Sequence, residues 1–313
     1  MEHRTIKISN SEIQSFKDCE RKWYLTYYRE LAPASVKLVG PLALGTKIHL
    51  ILEGVYIENW DKNTALEALG ELYAVDQLKL DEESVSFQED RKALDKEQDL
   101  AHAMIDGFYD WREEEGLDAG YEIHSIEEVI EVESPFPGVY LRGKLDQRIK
   151  RLSDGAILFN DWKTTATFND RWMLQLNEQM KFYHLLEELA GDEHTDGALY
   201  TMLRKVKRTA NAKPPFYKRE EVRHNRAELD NFYRTTMVTV KRMVEARKEL
   251  DDGVDMHDVV PPRPSRDCSW KCPFTVVCPM FDDGSRVDAA ISDLYVRMDP
   301  HERYAREEND KSD

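Results

Sequence analysis

Apolar positions recur at helical spacing in both end regions of the chain and at alternating spacing in its middle, so helices are expected to flank a group of strands. Residues 1–8 read as a short extended lead. Ser11 then reads as an N-cap with Gln14 as capping-box partner, opening a helix with Ile13, Phe16, Trp23, Tyr24 and Tyr27 on its apolar face and Cys19 in its middle. After a break at Val36–Pro41, Ile48, Ile51, Leu52, Val55 and Tyr56 predict a helix from about Ala43 to Trp60. On it Gly45 and His49 stand one turn apart. Thr64 and Glu67 form a capping box for a helix to about Leu78. The acidic stretch 79–92 reads as an exposed loop, and Leu94, Ala101, Met104, Ile105 and Phe108 mark a longer helix that stops before Gly116.

The middle of the chain reads as strands at Tyr121–Glu133, Leu141–Arg151 and Ala156–Lys163, the last two joined through Asp154-Gly155, a strong hairpin signal. Asn169 or Asp170 is expected to cap a helix to about Ala190. Strands are expected at Ala198–Leu203 and near Phe216–Val222, and a closing helix at Ala227–Leu250. Three strands, a helix and two more strands between helical ends predict an α/β fold, a mixed central sheet with a crossover helix. The expected divisions are N-terminal helices over 1–60, a helical insertion over 61–118, a core over 119–250, a cysteine segment over 251–281 and an acidic tail over 282–313. Residues 1–281 are expected to form one compact unit.

The central hairpin carries candidate chemistry. Side chains alternate along a strand, so Asp161 and Lys163 share a face and Trp162 takes the other. Pairing across the hairpin can bring Asp146 to the same end. Two carboxylates beside an ammonium suit Mg²⁺ or Mn²⁺, hard cations that prefer oxygen, with the lysine acting on a bound water. The plainer reading, solvated charges at strand ends, needs no site at all.

Net charge of −17 argues against a general nucleic-acid binder, because phosphate contacts rely on Lys and Arg. The distribution changes that picture. Between Arg204 and Arg226 there are nine basic residues opposed only by Glu220 and Glu221, so Arg204, Lys205, Lys207 and Arg208 are candidates for meeting DNA on one side. No apolar run is long enough for a membrane span and no signal-peptide core follows Met1, so an intracellular, cytoplasmic protein without disulfides is expected. Three of the four cysteines, Cys268, Cys272 and Cys278, lie close together, and Cys19 lies far upstream. Four thiolates suit Zn²⁺ or an iron–sulfur cluster, and would buckle the N-terminal helix to the C-terminal segment.

Taken in order, these marks resemble the RecB-type branch of the PD-(D/E)xK nuclease superfamily, and within it the iron–sulfur members that include CRISPR-associated exonucleases and their phage and helicase-linked relatives. The resemblance rests on Ser9-Asn-Ser11 through Tyr24 with Cys19, Gly45-Thr-Lys-Ile-His49, Gly143-Lys-Leu-Asp146, Asp161-Trp-Lys163, Gln179-Met-Lys-Phe-Tyr183 and the closing cysteines. It departs from the family where three residues, and not two, separate Cys268 from Cys272, and where Glu20 replaces a common proline.

The resemblance implies a restriction-endonuclease-like fold and a metal-dependent DNA exonuclease acting on single strands or ends, in recombination, repair or replication, with a helicase or recombinase as partner. It implies that His49, Asp146, Asp161 and the Trp162 carbonyl hold Mg²⁺ or Mn²⁺. Lys163 would orient the attacking water, Gln179 would hold Lys163 or substrate, and Tyr183 would contact phosphate or base. Cys19, Cys268, Cys272 and Cys278 would hold a structural 4Fe–4S cluster. Two other readings compete: a non-catalytic DNA-binding or recombination-complex subunit on a nuclease fold, and a hydrolase with Zn²⁺ at the four cysteines.

Overall fold

The computed structural model of the 313-residue chain describes residues 5–35, 37–82, 87–191, 195–302 and 304. The chain opens with β1 (Ile6–Ser9), α1 (Asn10–Asp18), α2 (Glu20–Trp23), a π-helical turn at Tyr24–Tyr28 and β2 (Leu31–Pro33). Three long helices follow: α3 (Pro41–Ile57), α4 (Lys62–Glu82) and α5 (Phe87–Glu114). Next come β3 (Tyr121–Glu133), β4 (Val139–Arg151) and β5 (Ile157–Thr165), then the crossover helices α6 (Arg171–Leu176) and α7 (Glu178–Ala190). After β6 (Gly197–Arg204) and β7 (Tyr217–Val222) the chain runs through α8 (Arg226–Asp251), α9 (Met256–Val259), the cysteine segment, α10 (Val287–Leu294) and β8 (Tyr295–Arg297).

The sheet is mixed, as expected. β5 and β6 are parallel across the α6–α7 crossover, whereas β4–β5, β3–β4 and β6–β7 are antiparallel. One core lies between the sheet and α1, α7 and α8, built from residues such as Ile13, Phe16, Met180, Phe182, Met202 and Met243. A second core lies on the opposite face against α3, α4 and α5, with Ile48, Tyr73, Phe108, Trp162 and Tyr217. Lys47 of α3 ties the helical side together, with its Nζ 2.9 Å from Asp76 of α4 and 3.7 Å from Glu97 of α5. All three side chains are nearly buried, which is tolerable only because they satisfy one another.

Several expectations are corrected. The lead contains a strand: β1 pairs in parallel with the start of β4, a four-residue element too short to show a period. Ser9, and not Ser11, caps α1, its Oγ accepting from Glu12 N at 3.3 Å. The first helix is broken at Cys19, which is extended at φ −161°. Helix occupies much of 79–92, since α4 reaches Glu82 and α5 begins at Phe87, and the residues between lie outside those described. Acidic and basic residues here are good helix formers, and polarity alone does not make a loop. The helix expected through Ala190 is two helices, because Asn177 is extended and caps α7 by accepting from Gln179 N at 2.8 Å. The segment after Phe281 is folded back: α10 leads to β8, which pairs antiparallel with β2.

Candidate active site

β4 is a long strand with one edge fully taken by β3 and the other shared end to end by two strands. On that second edge β1 pairs as far as Ser9↔Arg142, and β5 begins at Asn160↔Gln147. Residues 143–146 therefore face an opening between the two. Gly143 lets α7 close on this opening: a Cβ there would sit 2.7 Å from Leu186 Cδ1 and 3.0 Å from Tyr183 Cε1. As β5 leaves β4, the Asp146 side chain takes over from the backbone ladder, and its Oδ2 accepts from Trp162 N at 2.8 Å.

The strands also change face here. Leu141, Leu145, Ile130 and Val132 lie in the α7-side core, and Arg148 reaches Glu187 of α7 from the same side, so the alternation of β4 reverses between Leu145 and Arg148. In β3, Glu128 reaches Arg148 while Ile126 packs on the helical side. The shared pivot is Glu127, opposite Asp146, with a left-handed φ of 55° that non-glycine residues seldom adopt.

Side chains from four elements meet at the opening. Lys163 Nζ donates to Asp161 Oδ1 at 3.1 Å and to Gln179 Oε1 at 2.9 Å. Gln179 Nε2 donates to Asp161 Oδ1 at 3.2 Å and to the Tyr183 hydroxyl at 2.8 Å, and that hydroxyl donates to Lys144 O at 2.7 Å. His49 Nδ1 lies 3.6 Å from Asp146 Oδ2, with its ring edge-on to Trp162. The one-turn separation of Gly45 and His49 has a packing counterpart, since a Cβ at Gly45 would touch Thr164 Oγ1 at 3.5 Å.

Burial governs the electrostatics. It pushes the Asp146 carboxyl up to about 7, aided by the negative charge of Asp161. It holds the His49 imidazole below its usual range, hence neutral and able to coordinate. It raises the Tyr183 phenol, with both aspartates adding to the effect. Glu127, which the sequence reading missed, is pushed up to about 7 by burial although Lys144 Nζ stands 2.5 Å away. Its sequence context, one acid among several in β3, carries no motif that would have revealed it.

Among the described residues no three His, Cys, Asp or Glu side chains are gathered at metal-ligand spacing, since the carboxylates here are turned onto Trp162, Lys163 and Gln179. The donor set nevertheless fits a hard divalent cation. Asp161 is 2% exposed, and its Oδ2 has no hydrogen bond of good geometry although Lys163 Nζ is 2.8 Å away. A buried carboxylate oxygen left in that condition, beside a second acid and a neutral imidazole, is strongly stabilised by a cation.

The sequence matches the PD-(D/E)XK nuclease superfamily over residues 7–279, most of the chain. The chain belongs to this superfamily. A mixed sheet flanked by helices, with an Asp–Asp-x-Lys set at its opened edge, is consistent with that membership. No curated protein matches the sequence at a significant level. Among solved structures, the crystal structure of SSO0001 is similar over 89% of this chain and 88% of that chain, at 14% identity and a TM-score of 0.34.

The four cysteines of this superfamily member are half-buried free thiols. Burial raises the Cys272 thiol, with Cys268 and Cys19 adding to it, and pushes Cys278 up to about 11, with Cys19 and Cys272 adding. The charges of Cys19 and Cys268 thus reach Cys272, and those of Cys19 and Cys272 reach Cys278, although no three of the four are gathered at metal-ligand spacing. Two backbone amides already point at sulfur: Arg263 N donates to Cys19 Sγ and Ser265 N to Cys268 Sγ, both at 3.4 Å. Glu20, at the position where a proline is common, is a buried anchor. Its Oε1 accepts from Arg242 of α8 and from Arg263 of the cysteine segment, both at 2.7 Å.

The basic stretch divides. Arg204 donates to Lys213 O and Pro215 O, Lys207 pairs with Asp99 of α5 at 3.0 Å, and Arg208 donates to Tyr217 OH at 2.7 Å. Arg208 also lies against Gly107 of α5, where any Cβ would strike its guanidinium. Lys207 and Arg208 hold the helical side to the sheet, and Arg204 closes the connection between β6 and β7. Lys205 differs: its backbone N donates to Thr165 O at 2.7 Å, which places it beside the loop that leaves Lys163. No helix among the described residues is long and apolar enough to cross a membrane.

Proposed function

We propose that the protein is a metal-dependent DNA exonuclease that hydrolyses phosphodiester bonds on single strands or ends, with Mg²⁺ or Mn²⁺ in the sheet opening and a 4Fe–4S cluster at the four cysteines. The observation that carries the reading is the Asp146, Asp161, Lys163, Gln179 and His49 set converging where the second edge of β4 has no partner strand. Asp146, Asp161, His49 and the Trp162 carbonyl would hold the divalent ion, which when bound polarises phosphate. The imidazole favours Mn²⁺ more than an all-oxygen site would.

The chain's own residues supply the rest. Asp161 and Gln179 fix the Lys163 ammonium in place, so it can orient a water by hydrogen bonding and meet the negative charge that grows on phosphate oxygens. Tyr183 stays protonated, and so its hydroxyl remains a donor that orders Gln179 and the β4 backbone. The cluster would be structural, joining the break at Cys19 to the segment after α9, with no redox step required by hydrolysis.

The deciding test is a time course on end-labelled single- and double-stranded DNA with Mg²⁺ or Mn²⁺, comparing wild type with Asp161→Ala. Shortening from ends that disappears in the folded variant is expected. Full-rate cutting by Asp161→Ala would reject the site. For the cysteines, anaerobically purified protein is expected to be brown and to contain iron and acid-labile sulfide; a colourless zinc protein would replace the cluster with Zn²⁺.

A further inference from the structure

The chain between Lys163 and Gln179 leaves the candidate site and returns to it, with its two ends joined by the 2.9 Å Lys163–Gln179 hydrogen bond. This excursion is anchored. Leu174 is 4% exposed and its carbonyl accepts from Tyr200 OH, while the Gln175 carbonyl contacts His224 Nε2 at 3.1 Å. The opposite face of α6 is bare. Trp172 is 59% exposed, Met173 43% and Leu176 61%, a contiguous apolar surface on a six-residue helix.

Cations stand on the elements next to that surface. Among the described residues the side chains of Arg171, Lys181 and Lys205 have no acidic partner, so their charge is open to an anionic ligand. Lys205 is tied to the foot of the excursion through Thr165 O, and the charge of Lys181 bears on His224, which touches Gln175. Residues 164–177 contain one Asp and one Arg, so they are neutral in a chain of net charge −17. The acids nearby are Asp170 at the start of α6, Glu178, which is paired with Lys17, and Glu228, which lies 3.4 Å from Gln175 and is occupied in capping α8.

We propose that the α6 excursion is a platform for single-stranded DNA, with a base stacked on Trp172 and the phosphates met by Arg171, Lys181 and Lys205. An exposed aromatic surface with cations on the same and neighbouring elements suits a strand whose bases are unpaired and whose backbone is anionic. A duplex hides its base faces and gains only the phosphate contacts. The position fits a polymer, because the segment starts at Lys163 and ends at Gln179, so a strand lying on it would have its next nucleotides beside the candidate site. The inference rests on the DNA-processing reading above.

The test uses the full-length protein in EDTA, so that no probe is cut, with a fluorescein-labelled oligo(dT) of about 20 nucleotides followed by anisotropy. Trp172→Ala is expected to weaken binding ~5- to 140-fold, the range for losing one stacked base, and Trp172→Phe to restore most of it. Binding of a duplex of equal length is expected to change less than twofold. Arg171→Ala is expected to lower the slope of log Kd against log salt by about one. The proposal is overturned if Trp172→Ala binds oligo(dT) as wild type does, if Ala and Phe lose equally, or if duplex binding falls in parallel. It is also overturned if sedimentation shows that Trp172→Ala separates an oligomer, since the face would then bind a second copy. A wild type that binds through Trp172 but never cuts DNA would remove the nuclease reading and leave this one standing.

Discussion

Gly143→Ala tests the packing that brings α7 to the sheet opening. The new methyl would lie 2.7 Å from Leu186 Cδ1 and 3.0–3.2 Å from the Tyr183 ring. Neither neighbour can step aside at low cost. Leu186 is 0% exposed, and Tyr183 is held by hydrogen bonds at both sides of its hydroxyl. One methyl forced into a closed core costs about 1–3 kcal/mol, so the urea midpoint should fall accordingly. Relief must come from a shift of α7, which carries Gln179 and so displaces the partner of Lys163. A displacement near 1 Å at a positioned group costs about 100-fold in rate, so turnover on DNA should fall more than stability does. In a Leu186→Ala background the clash is gone, and the same substitution should cost at least about 1 kcal/mol less, a coupling measurable by a double-mutant cycle. Equal costs in the two backgrounds, or an unchanged midpoint in the first, would refute the close approach of α7 to Gly143.

Two shorter predictions follow from buried polar groups. Lys163→Met should lower stability in urea by about 1–3 kcal/mol, because buried Asp161 loses its charged partner, and lower cleavage of end-labelled DNA by about 100-fold or more, because the positioned ammonium is lost while the apolar stem remains. Glu12 is fully buried; burial raises its carboxyl, but the hydrogen bond from His301, Arg247 at 2.7 Å and Trp23 Nε1 at 2.9 Å outweigh that and bring it below its usual range. A depressed carboxyl stabilises the fold above the unfolded value of 4.5 and loses that contribution as pH falls through the folded value. Glu12→Gln should therefore cost about 3 kcal/mol at pH 7 by leaving Arg247 without its acid, and the gap to wild type in urea midpoints should stay constant down to about pH 4.5 and narrow only below it.

What the sequence made legible depended on how locally each feature is determined. The β4–β5 hairpin was readable because Asp154-Gly155 sets its own turn, with Gly155 at φ 76° and Ala156 N bonded to the Asp154 side chain. The alternation that put Asp161 and Lys163 together, and Trp162 in the other core, follows from the strand alone. β1, β2 and β8 were not readable, since three or four residues show no period and their partners are remote in the chain. The break at Asn177 was missed because α6 and α7 share an apolar pattern across it, and only the cap reveals the stop. Glu127 was invisible for a different reason: a left-handed residue inside a strand is set by the reversal of two neighbouring strands. Arg204, Lys207 and Arg208 were readable as charge but not as destination, because their acceptors are backbone carbonyls, Asp99 and Tyr217.

The gap on β4 joins folding to the candidate chemistry, and Asp146 is where they can be separated. Its Oδ2 accepts from Trp162 N in the place where a β4 carbonyl would otherwise stand, so the residue completes the sheet as well as facing His49 and Asp161. Asp146→Ala removes the acceptor and leaves a buried backbone N–H without a partner, a cost of about 1–3 kcal/mol. Asp146→Asn keeps an oxygen that can accept the same bond and removes only the charge. Both variants should lose cleavage, but the Asn variant should keep the wild-type urea midpoint to within about 0.5 kcal/mol and the Ala variant should not. If the two unfold at the same midpoint, the carboxylate does not support β5 at its departure from β4, and the opening in the sheet needs another explanation.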